Sequence, residues 1–267
     1  MTTSAVLSLL DPAARLVIGH RGAPAEAPEN TLAAFRRAAE LGVDGFELDV
    51  RVSADGVPVV IHDPTLDRTT DRSGAVAACP FEVLRQADAG ARFTPDGGRT
   101  FPWRGRGVVI PTLDEVLDAF PAMPMFVELK LPEAQPAVHG ALLRHGATAR
   151  CVVSAIPHAA LAAFRQPPFL RGASRRDILR LWLGSKVGFA SAARDCRCFA
   201  VPIRRRNLLV TTDGFLAAAR RLGRPVHVWT VDDPAVALGL WARGVSGILT
   251  NTPGTMPRPH LSRVGGD

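Results

Sequence analysis

Short β-branched or apolar runs alternate with helical segments along almost the whole chain, and this alternation restricts the fold more than any single residue does. The runs occupy residues 15–19, 45–52, 125–130, 151–155, 179–183, 198–202, 226–230 and 247–250. Between most of them lies a helix with its own start and stop signals. Asn30 or Thr31 caps a helix over 31–41 that Gly42 ends, and Thr112 opens one over 112–120 with Glu115 at the capping-box position. Helices over 133–145, 211–222 and 233–243 run up to Gly146, Gly223 and Gly244. Strands separated by helices call for a parallel sheet with right-handed crossovers. Eight such units in 267 residues fit an α/β fold closed into a (β/α)8 TIM-type barrel. An open doubly wound sheet is the runner-up, disfavoured because no G-x-G-x-x-G follows the first run.

One connection departs from the pattern. Between residues 51 and 110 there is no simple helix; a short strand over 57–62 follows the turn Ala54-Asp55-Gly56, and a Pro-, Gly- and Arg-rich stretch fills 91–106. A long loop of this kind is usually functional. It is expected to be a small insertion after the second strand, on the strand-end face of one domain spanning 15–256, with residues 1–14 and 257–267 as terminal extensions.

Composition excludes several classes. Apolar residues make up 47% of the chain, too many for a disordered one. No apolar run approaches the roughly 18 residues of a membrane span. Residues 1–10 have no basic region and lead straight to Asp11-Pro12, so a cleavable signal is not expected. The cysteines are Cys79, Cys151, Cys196 and Cys198; their one close pair is C-x-C, and they read as reduced thiols of a cytoplasmic protein. The net charge of +7 favours anionic partners. Arginine clusters such as Arg204-Arg205-Arg206 and Arg175-Arg176 belong to no nucleic-acid-binding motif, so no nucleic-acid partner is expected, and phosphorylated small molecules remain.

Polar residues gather at the ends of the runs. His20-Arg21-Gly22 ends the first, and Glu47 and Asp49, two apart on the second, share a face. Glu128 and Lys130 repeat that spacing on the third. Three carboxylates on neighbouring strands suit a hard divalent cation with oxygen ligands, the alternative being an ion-pair network of Glu47 or Glu128 with Arg21 or Lys130. His20 and His62 flank the cluster and offer a proton acceptor and a proton donor. A cation, Arg21 and Lys130 would neutralise a phosphoryl group, which together is equipment for cleaving a phosphodiester.

At this point the sequence resembles the glycerophosphodiester phosphodiesterases. The resemblance runs from His20 to about Pro253 through H-R-G at 20–22, A-P-E-N-T at 27–31, F-E-L-D-V at 46–50 and D-G-V-P-V-V-I-H-D at 55–63. It continues through L-D-R-T-T at 66–70, I-P-T-L at 110–113, V-E-L-K at 127–130 and W-T-V-D at 229–232. It implies a TIM-type barrel with a small insertion after the second strand, and hydrolysis of glycerophosphodiesters to sn-glycerol 3-phosphate and an alcohol. It further implies one divalent ion, Mg2+ or Ca2+, held by Glu47, Asp49 and Glu128. His20 and His62 would be the acid–base pair, Arg21 and Lys130 would grip the phosphate, and Trp229 would wall the glycerol or headgroup. By analogy with phosphoinositide-cleaving barrels, a neighbouring glycerol hydroxyl acting through a cyclic phosphate is an expected route. Spacing does not say which histidine is acid and which is base.

The chain departs from the family pattern where Ser246 and Asn251 replace frequent aspartates, and where Ala155 follows Ser154 in place of an aromatic residue. These changes bear on headgroup preference, and neither lost aspartate belongs to the implied ligand set. His227, two residues before Trp229, reads as a structural group. A lysophospholipase D-like activity on lysolipids is the nearest rival; the Arg- and Pro-rich insertion favours soluble diesters instead. A non-catalytic module for anionic headgroups or nucleic acid would be expected to lack a catalytic residue, and all seven polar residues are present.

Overall fold

Pleating sends successive side chains of a strand to opposite faces, and the strands here feed two apolar clusters at once. The computed structural model describes residues 8–187 and 195–258, so residues 1–7 and 259–267 of the expected terminal extensions lie outside the described residues. In β1 (Leu16–His20), Leu16 and Ile18 face the barrel interior while Val17 packs outward. In β2 (Gly45–Val52), Phe46, Leu48 and Val50 point outward, which leaves Gly45, Glu47 and Asp49 inside. The same alternation runs through β4 (Met125–Leu129), β5 (Cys151–Ser154), β7 (Phe199–Pro202), β10 (Val226–Trp229) and β11 (Gly247–Thr250). Outward residues meet α1 (Leu32–Glu40), α3 (Leu113–Ala119), α4 (Gln135–Arg144), α6 (Asp213–Arg221) and α7 (Pro234–Ala242) in one large core.

The strands follow one another around the sheet in the order β6 (Leu170–Arg171), β5, β4, β2, β1, β11, β10, β7, all parallel. Two backbone hydrogen bonds join its ends: Arg197 N donates to Arg171 O (2.7 Å) and Ala173 N to Cys198 O (3.0 Å). The ring of the expected α/β TIM-type barrel is thereby closed, with its strands in chain order. The strand expected over 57–62 is β3 (Pro58–Val60), antiparallel to β2. The segment after it includes the short α2 (Phe81–Leu84) and builds its own apolar cluster from Val59, Ile61, Leu66, Val76, Leu84 and Ala89.

The expected strand over 179–183 is a correction: it lies inside α5 (Arg175–Lys186). Ser174 and Asp177 form a capping box that starts the helix, and Ile178, Leu181 and Trp182 pack on one face while Leu179 and Leu183 are 50% and 52% exposed. The alternating L-R-L-W-L mimicked a strand because a short apolar run carries both periods. The true strand, Leu170–Arg171, is too short to show any period. Among the described residues no helix is long and apolar enough to cross a membrane. The four cysteines are free thiols, and burial pushes Cys151 and Cys196 up to about 12.

The closed end of the barrel is plugged by Leu9 and His227. His227 is fully buried, donates from Nε2 to Leu9 O (2.9 Å) and packs on Phe126 with ring centres 5.0 Å apart. Gly247 makes room, since a Cβ there would come within 2.6 Å of His227 Nδ1. Burial lowers His227 to about 4. Between its ordinary value of 6.5 and about 4 the unfolded chain binds a proton that the folded chain refuses, so stability falls as pH drops through that window. The full loss is about 3 kcal/mol. Denaturant unfolding at pH 7.5, 6 and 5 is expected to show this slope in the wild type and a flatter one in His227→Gln. Equal slopes would remove His227 as the cause.

Candidate active site

The open end of the barrel collects the strand-end residues. Register places His20 beside Glu47 and Asp49 beside Glu128, so three neighbouring strands deliver the polar groups at one level. Beyond β1 the chain turns through Arg21 at φ +57° and Gly22 at φ +91°. A side chain at Gly22 would collide with the Ala34 backbone (2.6 Å), so this turn requires glycine. The turn lets Arg21 N donate to Glu47 O (2.9 Å) and brings its guanidinium against Glu29 (3.0 Å). Arg21 Nε lies 3.1 Å from Asp49 Oδ2, an ion-pair distance at which the N–H direction misses a hydrogen bond.

Asp49 is held from several sides. Asn30, itself left-handed at φ +57°, donates Nδ2 to Asp49 Oδ2 (2.8 Å) and accepts from Asp49 N (3.2 Å). Lys130 Nζ bridges Asp49 (2.5 Å) and Glu128 (2.6 Å). Burial pushes Asp49 up, but Lys130 and Arg21 outweigh it and hold the carboxyl below its ordinary range. Lys130 is lowered by burial and raised more by Asp49 and Glu128. Glu47 has the opposite balance: burial, with Asp49 and Glu128 beside it, drives it well above the usual carboxylate range. One oxygen each from Glu47, Asp49 and Glu128 lie within 4.8 Å of one another.

The two histidines sit in different settings. His20 Nδ1 meets Asn251 Oδ1 at 2.8 Å, and Asn251 Nδ2 in turn donates to Asp232 (2.9 Å). A carboxylate only accepts, so Asp232 fixes which end of the Asn251 amide faces His20, and His20 must carry its proton on Nδ1. Its Nε2 lies 3.9 Å from Glu47. Burial, then the charge of Arg21, lowers His20 from its ordinary value. His62 instead places Nδ1 against Asp63 (2.6 Å), which Arg68 grips while also pairing with Glu29 (2.7 Å). The Arg68 hydrogen bond holds Asp63 far below the carboxylate range.

All seven polar residues singled out from the sequence line one cavity of about 470 Å³, with Trp229, Phe126 and Leu249 as its apolar floor. The chain matches the model of the glycerophosphoryl diester phosphodiesterase family over residues 20–255. The chain belongs to that family. It is 31% identical over 264 residues to a glycerophosphodiester phosphodiesterase of Caldanaerobacter subterraneus subsp. tengcongensis, covering 94% of this chain and 99% of that one. Among solved structures it is similar to a glycerophosphoryl diester phosphodiesterase domain from Mycobacterium tuberculosis (TM-score 0.76, 26% identity, 90% of this chain and 97% of the other). It is also similar to an Oleispira antarctica phosphodiesterase in complex with the product sn-glycerol 3-phosphate (TM-score 0.74, 27% identity, 90% and 94% covered). Family membership makes the chain a phosphoric diester hydrolase.

Sequence reasoning noted Asn251 only as a replaced aspartate and Asp232 only as part of W-T-V-D, and missed that both orient His20. Asn251 follows Leu249 by two, so alternation along β11 already put it inside, next to the strand that carries His20. Ser246 is different: it lies at the closed end, donating to Pro12 O (3.1 Å). Glu29, Asn30, Asp63 and Arg68 carried the resemblance without roles, and the structure shows them bracing Arg21, Asp49 and His62.

Proposed function

We propose that the chain hydrolyses glycerophosphodiesters to sn-glycerol 3-phosphate and an alcohol, with Glu47, Asp49 and Glu128 holding one divalent ion, Mg2+ or Ca2+. The observation that carries this is the convergence of three carboxylates, two histidines, Arg21 and Lys130 on one cavity. The donor set suits a hard cation. Five carboxylates (Glu29, Glu47, Asp49, Asp63, Glu128) share three directly paired cations (Arg21, Arg68, Lys130), which leaves two negative charges over. Burial first, and then the charges of Asp49 and Glu128 beside it, raise Glu47 above its ordinary value, and a cation at this point would favour its charged form. When bound, such an ion would neutralise charge on the phosphate oxygens.

Arg21 and Lys130 would orient the phosphate. His20, neutral and with Nε2 bare, would take the proton from the nucleophile, a water or the neighbouring glycerol hydroxyl. The nucleophile's oxygen then bonds to phosphorus as the bond to the departing oxygen breaks; where the nucleophile is the glycerol hydroxyl this gives a cyclic phosphate, which a water then opens to sn-glycerol 3-phosphate. His62, backed by Asp63, would give the departing oxygen its proton. Trp229 would pack against glycerol or headgroup.

A coupled glycerol 3-phosphate assay tests this. Turnover of glycerophosphocholine is expected to vanish in chelator and return with Mg2+, Ca2+ or Mn2+; full turnover in chelator would overturn the metal assignment. Glu47→Gln is expected to raise the activating ion concentration at least tenfold, and an unchanged titration would remove Glu47 from the ligand set. Because Ile156, Ile178 and Val210 make part of the cavity wall apolar, lysophosphatidylcholine belongs in the same assay. Faster turnover of the lipid would replace soluble diesters with lysolipids as the substrate class.

A further inference from the structure

The catalytic groups occupy one side of the cavity, and its other side is built differently. They come from β1, β2, β4 and the segment after β3. Across the ring, β6 and β7 lie opposite β1 and β2. The chain leaving those two strands presents Arg175 at the start of α5, and Arg204, Arg205 and Arg206 on a hairpin of β8 (Arg204–Arg205) and β9 (Leu208–Leu209). All four line the same cavity as His20 and Glu47.

Surface arginines here are of two kinds, those paired with acids and those, like Arg36 and Arg221, without a partner among the described residues; what sets these four apart is that they converge on one cavity. Arg37 pairs with Glu26, Arg144 with Asp114 and Arg243 with Asp213. The guanidiniums of Arg175, Arg204, Arg205 and Arg206 have no ion-pair or hydrogen-bond partner among the described residues. Among the described residues, the acidic lining of the cavity is Glu47, Asp49 and Glu128 alone. Nor is the hairpin a loose loop. Trp182 on α5 donates to Leu209 O (3.1 Å), and Val210 N donates to Ile203 O (2.9 Å). Arg175 follows a buried capping box that Arg171 secures through Asp177. Like charges held together without a counter-charge, facing a cavity, form a site for an anion that the protein does not itself supply.

The rest follows from the substrate's shape. A phosphate held beside β1 and β2 would leave one of its two arms to extend over the apolar floor toward β6 and β7, and with glycerol as the near arm the far one is the headgroup. We propose that the arginine side of the cavity binds a second anionic group on that arm, so that the preferred glycerophosphodiesters carry a phosphate monoester on their headgroup. Guanidinium forks match phosphate oxygens in pairs, which suits arginine here better than lysine. The inference rests on the phosphodiesterase reading and names its substrate class. It also gives a role to the Arg204-Arg205-Arg206 cluster that the net charge alone left open.

The test compares sn-glycerol-3-phospho-glycerol with the same diester phosphorylated on its outer glycerol. For the wild type, kcat/KM is expected to be about tenfold higher for the phosphorylated diester, since two exposed charge pairs of up to about fivefold each suffice. That ratio should fall toward one in the Arg204→Gln/Arg205→Gln/Arg206→Gln variant, be partly restored by lysine at the three positions, and shrink in the wild type between 50 and 500 mM salt. A wild-type ratio of one or less, or one that neither salt nor the variant alters, overturns the proposal. Calorimetric binding of both diesters in chelator separates the two claims. Arginine-dependent preference in binding, with no turnover under any ion, would keep the anion subsite and overturn the phosphodiesterase reading. Turnover of both diesters without preference in rate or binding would do the reverse.

Discussion

Replacing His20 or His62 with alanine is expected to lower kcat by about a hundredfold to ten-thousandfold, because that is what a positioned acid or base contributes. The fold should survive both changes. Neither ring belongs to an apolar cluster, and each is tied to the rest of the protein by a side-chain contact at the cavity mouth. The two variants should differ in pH dependence. Burial keeps His20 below 6.5, so the acid limb of the kcat/KM profile in the wild type should lie below that value. Asn251→Leu removes the one contact to His20 that raises it through a hydrogen bond, and should shift this limb to lower pH while reducing the rate. His62→Ala should leave the acid limb in place. Full activity in His20→Ala, or an acid limb that survives unchanged in it, would break the assignment of His20 as the base, and full activity in His62→Ala would remove His62 as the acid.

Much of this site was legible because strand geometry is regular. A period of two is enough to place Glu47 with Asp49 and Glu128 with Lys130, and helical punctuation at Thr31, Thr112 and Gly42 is enough to count the units. What stayed hidden was either too short or too distant in sequence. β6 has two residues and no pattern, so L-R-L-W-L in α5 took its place as a strand candidate. The Asp232–Asn251–His20 chain spans 231 residues between His20 and Asn251, and only the pairing of β1 with β11 brings them together. The opposed arginines are hidden for the same reason: that they face His20 across a cavity depends on ring closure, which no local pattern encodes. Asn251 shows how a substitution judged by charge alone misleads, since the amide keeps the acceptor that His20 needs.

Replacing Lys130 with methionine tests the ion-pair network from the side of stability. The methionine keeps most of the aliphatic stem, so packing changes little and the lost ammonium dominates. Asp49 is 1% exposed and loses its closest cation, while Arg21 and Asn30 remain. Breaking a buried pair from one side costs about 3 kcal/mol, because the stranded charge keeps its desolvation penalty. For a chain of this size that lowers Tm by roughly 6–12 °C, and glycerophosphodiester turnover should fall at least a hundredfold with the phosphate contact gone. Lys130→Met/Asp49→Asn should recover part of the stability and none of the activity. Divalent ions sharpen the test. With Lys130 gone, Glu47, Asp49 and Glu128 hold one more uncompensated charge, so Mg2+ or Ca2+ should raise the Tm of Lys130→Met by more than that of the wild type. If the ions stabilise both proteins equally, Lys130 and the cation do not share these carboxylates. If Lys130→Met melts with the wild type, the bridge between Asp49 and Glu128 contributes nothing to folding.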